Sequence, residues 1–173
     1  MTLVSRAKNG DQEAFATLME ENKLYMYKTA KTILGNEEDV YDAIQDALIS
    51  IYKGIGTLKD EKHLKTWMIR ITMNKCYDII TKNNMVRQKV VKFSNYVAET
   101  EEGEYEKMLE GTELERTLNL IDEDLRLCTV LYYYNELSIK AIANLMNIPE
   151  GTVKSKLSRA REKLYAILKE GVE

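Results

Sequence analysis

The chain has one proline, eight glycines and two cysteines among its 173 residues. So few forced breaks mean that long helices are expected. Cys76 and Cys128 stand far apart, no Cys-x-x-Cys occurs, and His63 is the sole histidine. A structural metal site needs more ligands than that. Both cysteines lie in apolar helical runs, where a thiol behaves as a small buried hydrophobe. No apolar run approaches the roughly 20 residues that cross a membrane. The N-terminal MTLVSRAKNGDQEAF lacks the apolar centre of a secretion signal. A cytoplasmic protein without direct membrane insertion is expected. Gly-rich phosphate loops, a GxSxG elbow and Cys–His pairs are also missing, so no catalytic residue, cofactor or small-molecule substrate is expected.

What is present is a globular composition, 45% hydrophobic and 31% charged, with a net charge of −3. That average hides a segregation. Between Glu99 and Asp124 eleven acids face only Lys107 and Arg116, so this stretch carries −9 and the remainder +6. Two basic, DNA-facing modules separated by an acidic connector would show this pattern.

Helical periodicity divides the chain accordingly. In the first module Asp11 caps a helix containing Ala14, Phe15, Leu18 and Met19, which Gly35 and Asn36 close. Glu37, Glu38 and Asp39 open a second helix at its positive end, with Val40, Ile44, Ala47, Leu48 and Ile51 facing inward. Asp39, Asp42, Gln45 and Asp46 lie on or near the other side. A third helix is expected from about Leu64 to Lys82. From Asn83 to Gly111 no amphipathic period is sustained, and a connection of that length argues for two domains. We read 1–83 as one domain, 84–111 as a linker and 112–173 as a second domain of four helices. The fold class is all-α, two small helical domains joined by a flexible linker. In the second domain Asp122 or Asp124 begins a buried helix with Leu125, Leu127, Val130, Leu131 and Tyr134.

The run LSIKAIANLMNIPEGTVKSKLSRAREKL, Leu137 to Leu164, reads as two helices around a tight corner. Ser138 is a good N-cap, Asn147 tolerates left-handed geometry, and Pro149 starts the second helix. There Val153, Leu157, Ala160 and Leu164 form an apolar stripe, while Ser155, Ser158 and Arg159 lie opposite. Lys154, Lys156, Arg161 and Lys163 flank them. Such a helix suits a major groove, where Lys or Arg pairs with guanine or phosphate. Thr152 and the amides at the helix start would suit a phosphate.

The segment Leu64–Lys82 has two apolar faces, one with Ile69, Met73, Cys76 and Ile80, the other with Leu64, Met68 and Ile71. One polar stripe remains, containing Thr66, Arg70, Asn74, Tyr77, Asp78 and Thr81, with Trp67 on its margin. A helix packed on both sides leaves that stripe as its working surface. Lys65 and Arg70 can hold phosphates and Asn74 a base edge. Trp67 can serve the core, stack on an extruded base at about 1–3 kcal/mol, or do both.

IPEGTVKSKLSRAREKL resembles the promoter-reading helix of bacterial RNA polymerase sigma factors of the extracytoplasmic-function (ECF) group. NEEDVYDAIQDALISIYKGI and LKTWMIRITMNKCYDIITK are similar to the polymerase-binding and −10-recognition helices of that group, in the same order. The resemblance implies a dissociable subunit that binds core RNA polymerase and directs it to promoter DNA. It assigns Thr152, Lys154, Ser155, Ser158 and Arg159 to the −35 element. To the −10 element and its melting it assigns Lys65, Trp67, Arg70 and Asn74, with Lys59, Asp60 and His63 of the preceding loop around a flipped base. There Leu58-Lys59-Asp60 stands where an aromatic residue and Arg-Gly are commoner. It also places Asp39, Asp42, Gln45 and Asp46 on the β′ coiled-coil of polymerase, the second domain near the β flap, and a cognate anti-sigma factor over the same helices. The alternative is a stand-alone helix-turn-helix regulator, which would carry a ligand or receiver domain.

Overall fold

The computed structural model describes residues 1–93 and 113–170, with side chains for 1–86 and 113–169. In order these form α1 (Leu3–Lys8), α2 (Gln12–Leu34), α3 (Glu37–Gly54), α4 (Leu64–Phe93), α5 (Glu113–Asn119), α6 (Glu123–Thr129), α7 (Ile139–Met146) and α8 (Glu150–Glu170). No strand occurs among the described residues.

Helix ends follow local chemistry. Thr2, Asp11, Asn36 and Ser138 each accept from the backbone amide three residues on, supplying an acceptor that the first turn lacks. Gly35, at φ +77°, ends α2 and turns the chain directly into the Asn36 cap of α3. Asp122 occupies the N-cap of α6 but makes no capping bond, because its carboxylate pairs with Lys163 of α8.

In the first module α2, α3 and α4 enclose Leu18, Met26, Ala47, Ile51, Ile55, Leu64 and Met68, closed at one end by Ala7 of α1. Burying each large aliphatic side chain contributes about 1.5–3 kcal/mol. α4 departs from the expectation of an end near Lys82, since its helix continues to Phe93. The apolar period fades after Ile80, and residues 81–86 are exposed, while the intrinsic helix formers Lys82, Met85, Arg87 and Gln88 continue the helical backbone. The expected linker 84–111 therefore begins inside a helix, and 94–111 lies outside the described residues.

The second module packs α5, α6 and α7 around α8. Leu125, Leu127, Val130 and Leu131 are buried as the period requires, but Tyr134 is 37% exposed. The reason is a π-helical turn over Val130–Tyr134, in which the Asn135 amide donates to the Val130 carbonyl at 2.9 Å. That wider turn rotates Tyr134 off the inward stripe and carries Asn135, fully buried, into its place. Cys76 and Cys128 are buried and free, and burial pushes the Cys76 thiol up to about 12.

Candidate nucleic-acid and polymerase interfaces

α4 is packed on both apolar faces, with Met68, Ile69, Met73 and Cys76 all at most 3% exposed. The leftover stripe is accordingly open: Arg70, Asn74, Tyr77, Asp78 and Thr81 are exposed. Asn74, Tyr77 and Asp78 line an open groove with Ser50, Ile71 and Lys75. Arg70 makes no hydrogen bond or ion pair with the described residues, so its guanidinium is available to an anion.

Trp67 is half-buried and packs against the first module's core. A Cβ at Gly54 would lie 3.2 Å from Trp67 Cζ2, so the glycine makes room for the indole edge. The ring thus has one edge in the core and part of its surface free. In the preceding loop Lys59, Asp60 and His63 are exposed. Asp60 accepts from the Lys62 amide at 3.0 Å and sits 3.9 Å from His63 Nε2. Leu58 is 6% exposed and anchors the loop, while its carbonyl accepts from Lys8 Nζ at 2.7 Å. The residue standing where an aromatic is commoner therefore offers no face to a base.

Lys65 does not face the same space as Arg70. Its Nζ donates to the Asn135 carbonyl at 2.9 Å and lies 3.8 Å from the Tyr25 ring centroid. Tyr77 also senses the second module. Burial first, then Glu123, Cys76 of its own helix and Asp124, push its phenol above the ordinary tyrosine range.

The α7–α8 corner forms as its residues require. Asn147 adopts φ 54°, ψ 47°, and Ser138 Oγ accepts from the Ala141 amide at 3.1 Å. Val153, Leu157 and Ala160 are buried, leaving Lys154, Ser155 and Arg159 exposed and Thr152 and Ser158 half-exposed. Lys154 and Arg159 make no hydrogen bond or ion pair with the described residues. The hydroxyls of Ser155 and Ser158 donate to Gly151 O at 3.0 Å and Glu162 Oε1 at 3.3 Å. The amides of Thr152 and Val153 donate to Pro149 O, so these two are not open to a phosphate. Three of the four flanking cations are paired within the module. Lys156 pairs with Asp124 at 2.9 Å, Lys163 with Asp122, and Arg161 donates to Tyr133 OH at 3.2 Å. Between Thr152 and Leu164 the cations of α8 thus divide into a paired set and the unpartnered Lys154 and Arg159.

On α3, Asp42, Gln45 and Asp46 are exposed. Asp39 is only half-exposed, because its carboxylate accepts from Asn36 Nδ2 at 2.8 Å and Asn83 Nδ2 at 3.2 Å. Sequence reasoning passed over Tyr41, Ile49 and Tyr52, which are more than half exposed beside those acids. Their signal was available, since apolar residues outside an inward stripe mark a surface that meets something.

The family models described as Sigma-70 region 2 and Sigma-70, region 4 match residues 18–85 and 112–164. The chain is 31% identical to the ECF RNA polymerase sigma factor SigW of Bacillus subtilis, over 96% of this chain and 95% of that one. It is likewise 31% identical to the ECF RNA polymerase sigma-E factor of Escherichia coli K12, over 92% and 89%. Among solved structures, the sigma factor RpoE in complex with the anti-sigma factor NepR from Bartonella quintana shares the fold. Its TM-score is 0.71 at 22% identity, over 90% of this chain and 96% of that one. CnrH in complex with the cytosolic domain of CnrY gives 0.66 at 22%, over 97% and 96%. With both sigma-70 regions matched in order and a relative alike along nearly its whole length, the chain belongs to the ECF group of RNA polymerase sigma factors.

Proposed function

We propose that this sigma factor docks on core RNA polymerase through the outer face of α3 and reads promoters with two separate helices. α8 enters the major groove of the −35 element. Arg159 and Lys154 supply the charged contacts to guanine or phosphate, with Ser155, Ser158 and Thr152 beside them. α4 and the loop before it take the melted −10 strand. Arg70 holds a phosphate, Asn74 a base edge, Trp67 a stacking face, and Lys59, Asp60 and His63 surround an extruded base. Asp42, Gln45 and Asp46, helped by the flanking Tyr41, Ile49 and Tyr52, meet the β′ coiled-coil, and the second module sits near the β flap. The protein acts by binding, as a non-catalytic initiation factor in the cytoplasm. A cognate anti-sigma factor holds it inactive, a reading supported by the complex of the similar RpoE with the anti-sigma factor NepR.

The observation that carries the reading is the split of the α8 cations. A helix that pairs three flanking cations internally and leaves Lys154 on a flank and Arg159 opposite the buried stripe unpartnered is arranged for an external anion. The test is a gel shift on promoter DNA with and without core polymerase, followed by run-off transcription. Promoter-specific complexes and transcripts are expected only when core polymerase is present. Specific binding by the chain alone, unaffected by core, would instead support a stand-alone regulator.

A further inference from the structure

Helix α1 buries little and is held mainly by polar links. Of its six residues Ala7 is buried, with Leu3 and Val4 packed partly against the first module's core. So short a helix is marginal by itself. Its corner with α2 is fixed by Arg6, which pairs with Asp11, and by Gly10 at φ +88°. Thr2 and Lys8, at its two ends, then reach far along the chain, and both arrive on the loop before α4. Lys8 Nζ donates to the Leu58 carbonyl at 2.7 Å, 50 positions away. Thr2 Oγ1 donates to Glu61 Oε1 at 2.8 Å, 59 positions away. The two links straddle Lys59 and Asp60. Leu58 is thereby held from both sides, its side chain in the core and its carbonyl on a half-buried lysine. A charged donor strengthens such a bond, and partial burial keeps water from competing for it.

We propose that α1 is a splint for this loop, in which Lys8 and Thr2 are positioning residues that fix how Lys59 and Asp60 meet the extruded −10 base. Neither needs to touch DNA. The inference rests on the assignment of that loop to the extruded base made above. Leu58 stands where an aromatic is commoner and is buried, so base choice falls to the polar groups that follow it. Those groups discriminate only through hydrogen bonds, which weaken steeply with distance and angle. A loop free to shift by about an ångström would offer them to every base alike. Thr2 serves twice, because its hydroxyl oxygen also accepts from the Ser5 amide as the cap of α1. One side chain thus sets both the start of the splint and its grip on the loop.

The experiment uses the full chain reconstituted with core polymerase. Initiation is measured on a promoter pre-melted across the −10 element, with each of the four bases in turn at every non-template position. Lys59→Ala combined with Asp60→Ala locates the base the loop reads, as the position where the parent's preference flattens. Lys8→Met keeps the aliphatic stem and removes the donor. Thr2→Asp keeps an N-cap acceptor but sets a carboxylate against Glu61, so it releases the loop without undoing the helix start. Each is first shown to keep the parent's thermal transition. Both should reduce the preference at the located position by about two- to tenfold, the scale of one hydrogen bond. Preferences at other positions and the response to the −35 element should stay unchanged. Lys8→Arg, which retains a donor, should restore most of the preference. An undiminished preference in either variant overturns the splint and leaves the loop's role intact. So does an equal loss on all four bases in Lys8→Met, which would make Lys8 a phosphate contact. If the Lys59 and Asp60 replacements change no preference at any position, the loop assignment itself fails and the splint falls with it.

Discussion

Asn147 turns the chain between α7 and α8 at φ 54°, ψ 47°, a left-handed state that costs residues with a Cβ about 1–2 kcal/mol. Asn147→Gly should leave the thermal transition within a degree or two, whereas Asn147→Val should lower stability by about 1–2 kcal/mol. Calorimetry of the two variants checks this, and equal transitions would mean the corner does not depend on that residue. Glu37 makes a different prediction. Lys31 Nζ lies 2.5 Å from its Oε1, Tyr27 OH donates to the same oxygen at 3.0 Å, and the carboxyl is held below its ordinary value, chiefly by the lysine. A depressed folded-state pKa stabilises at pH values above the unfolded one, near 4.3, and that contribution is lost as pH falls through the folded value. The melting-temperature gap between parent and Glu37→Gln should therefore be widest near neutral pH and close below about pH 4. A gap constant from pH 3 to 7 would contradict the pairing.

At the scale of elements, the caps and apolar stripes were legible because each is set by residues within two turns. Asp11, Ser138 and Asn147 occupy their expected roles, and α4 is buried on both faces with one open stripe. The π-helical turn at Val130–Tyr134 was not legible. A period of 3.6 continues through those residues, and only the burial of Asn135 against Thr29, 106 positions away, shows that the turn has widened. The pairing of Lys156 and Lys163 was hidden for the same reason, since their partners Asp124 and Asp122 lie on another helix. On α3, Asp39 is tied to Asn36 and Asn83, so reversing it would disturb the helix start as well as the surface. Asp42 and Asp46 are free of that double role. Asp42→Arg with Asp46→Arg should keep the helical signal and the thermal transition while reducing core polymerase binding at least tenfold, a loss of about 1.4 kcal/mol or more. Unchanged binding in a pull-down with purified core would contradict the docking face.

Over the whole molecule, the two-module division could be read from the charge segregation and the fading period after Ile80. Their docking could not, because a contact such as Lys65 to Asn135 joins polar groups that carry no pattern along the chain. The candidate DNA surfaces were legible as types of residue on a helix face. Which cations remain free on those faces, Arg70, Lys154 and Arg159, needed the packed structure. The central claim is that α8 and α4 serve successive steps, groove docking and strand capture. Transcription by the reconstituted holoenzyme, on duplex promoter and on a template pre-melted across the −10 element, separates the two steps. Arg159→Ala should lose about 1–3 kcal/mol of promoter affinity, on both templates alike. Trp67→Ala, once shown to keep its thermal transition, should dock normally, open duplex poorly and recover much of its activity on the pre-melted template. Equal recovery of the two variants on pre-melted DNA would contradict the division of labour between the two helices.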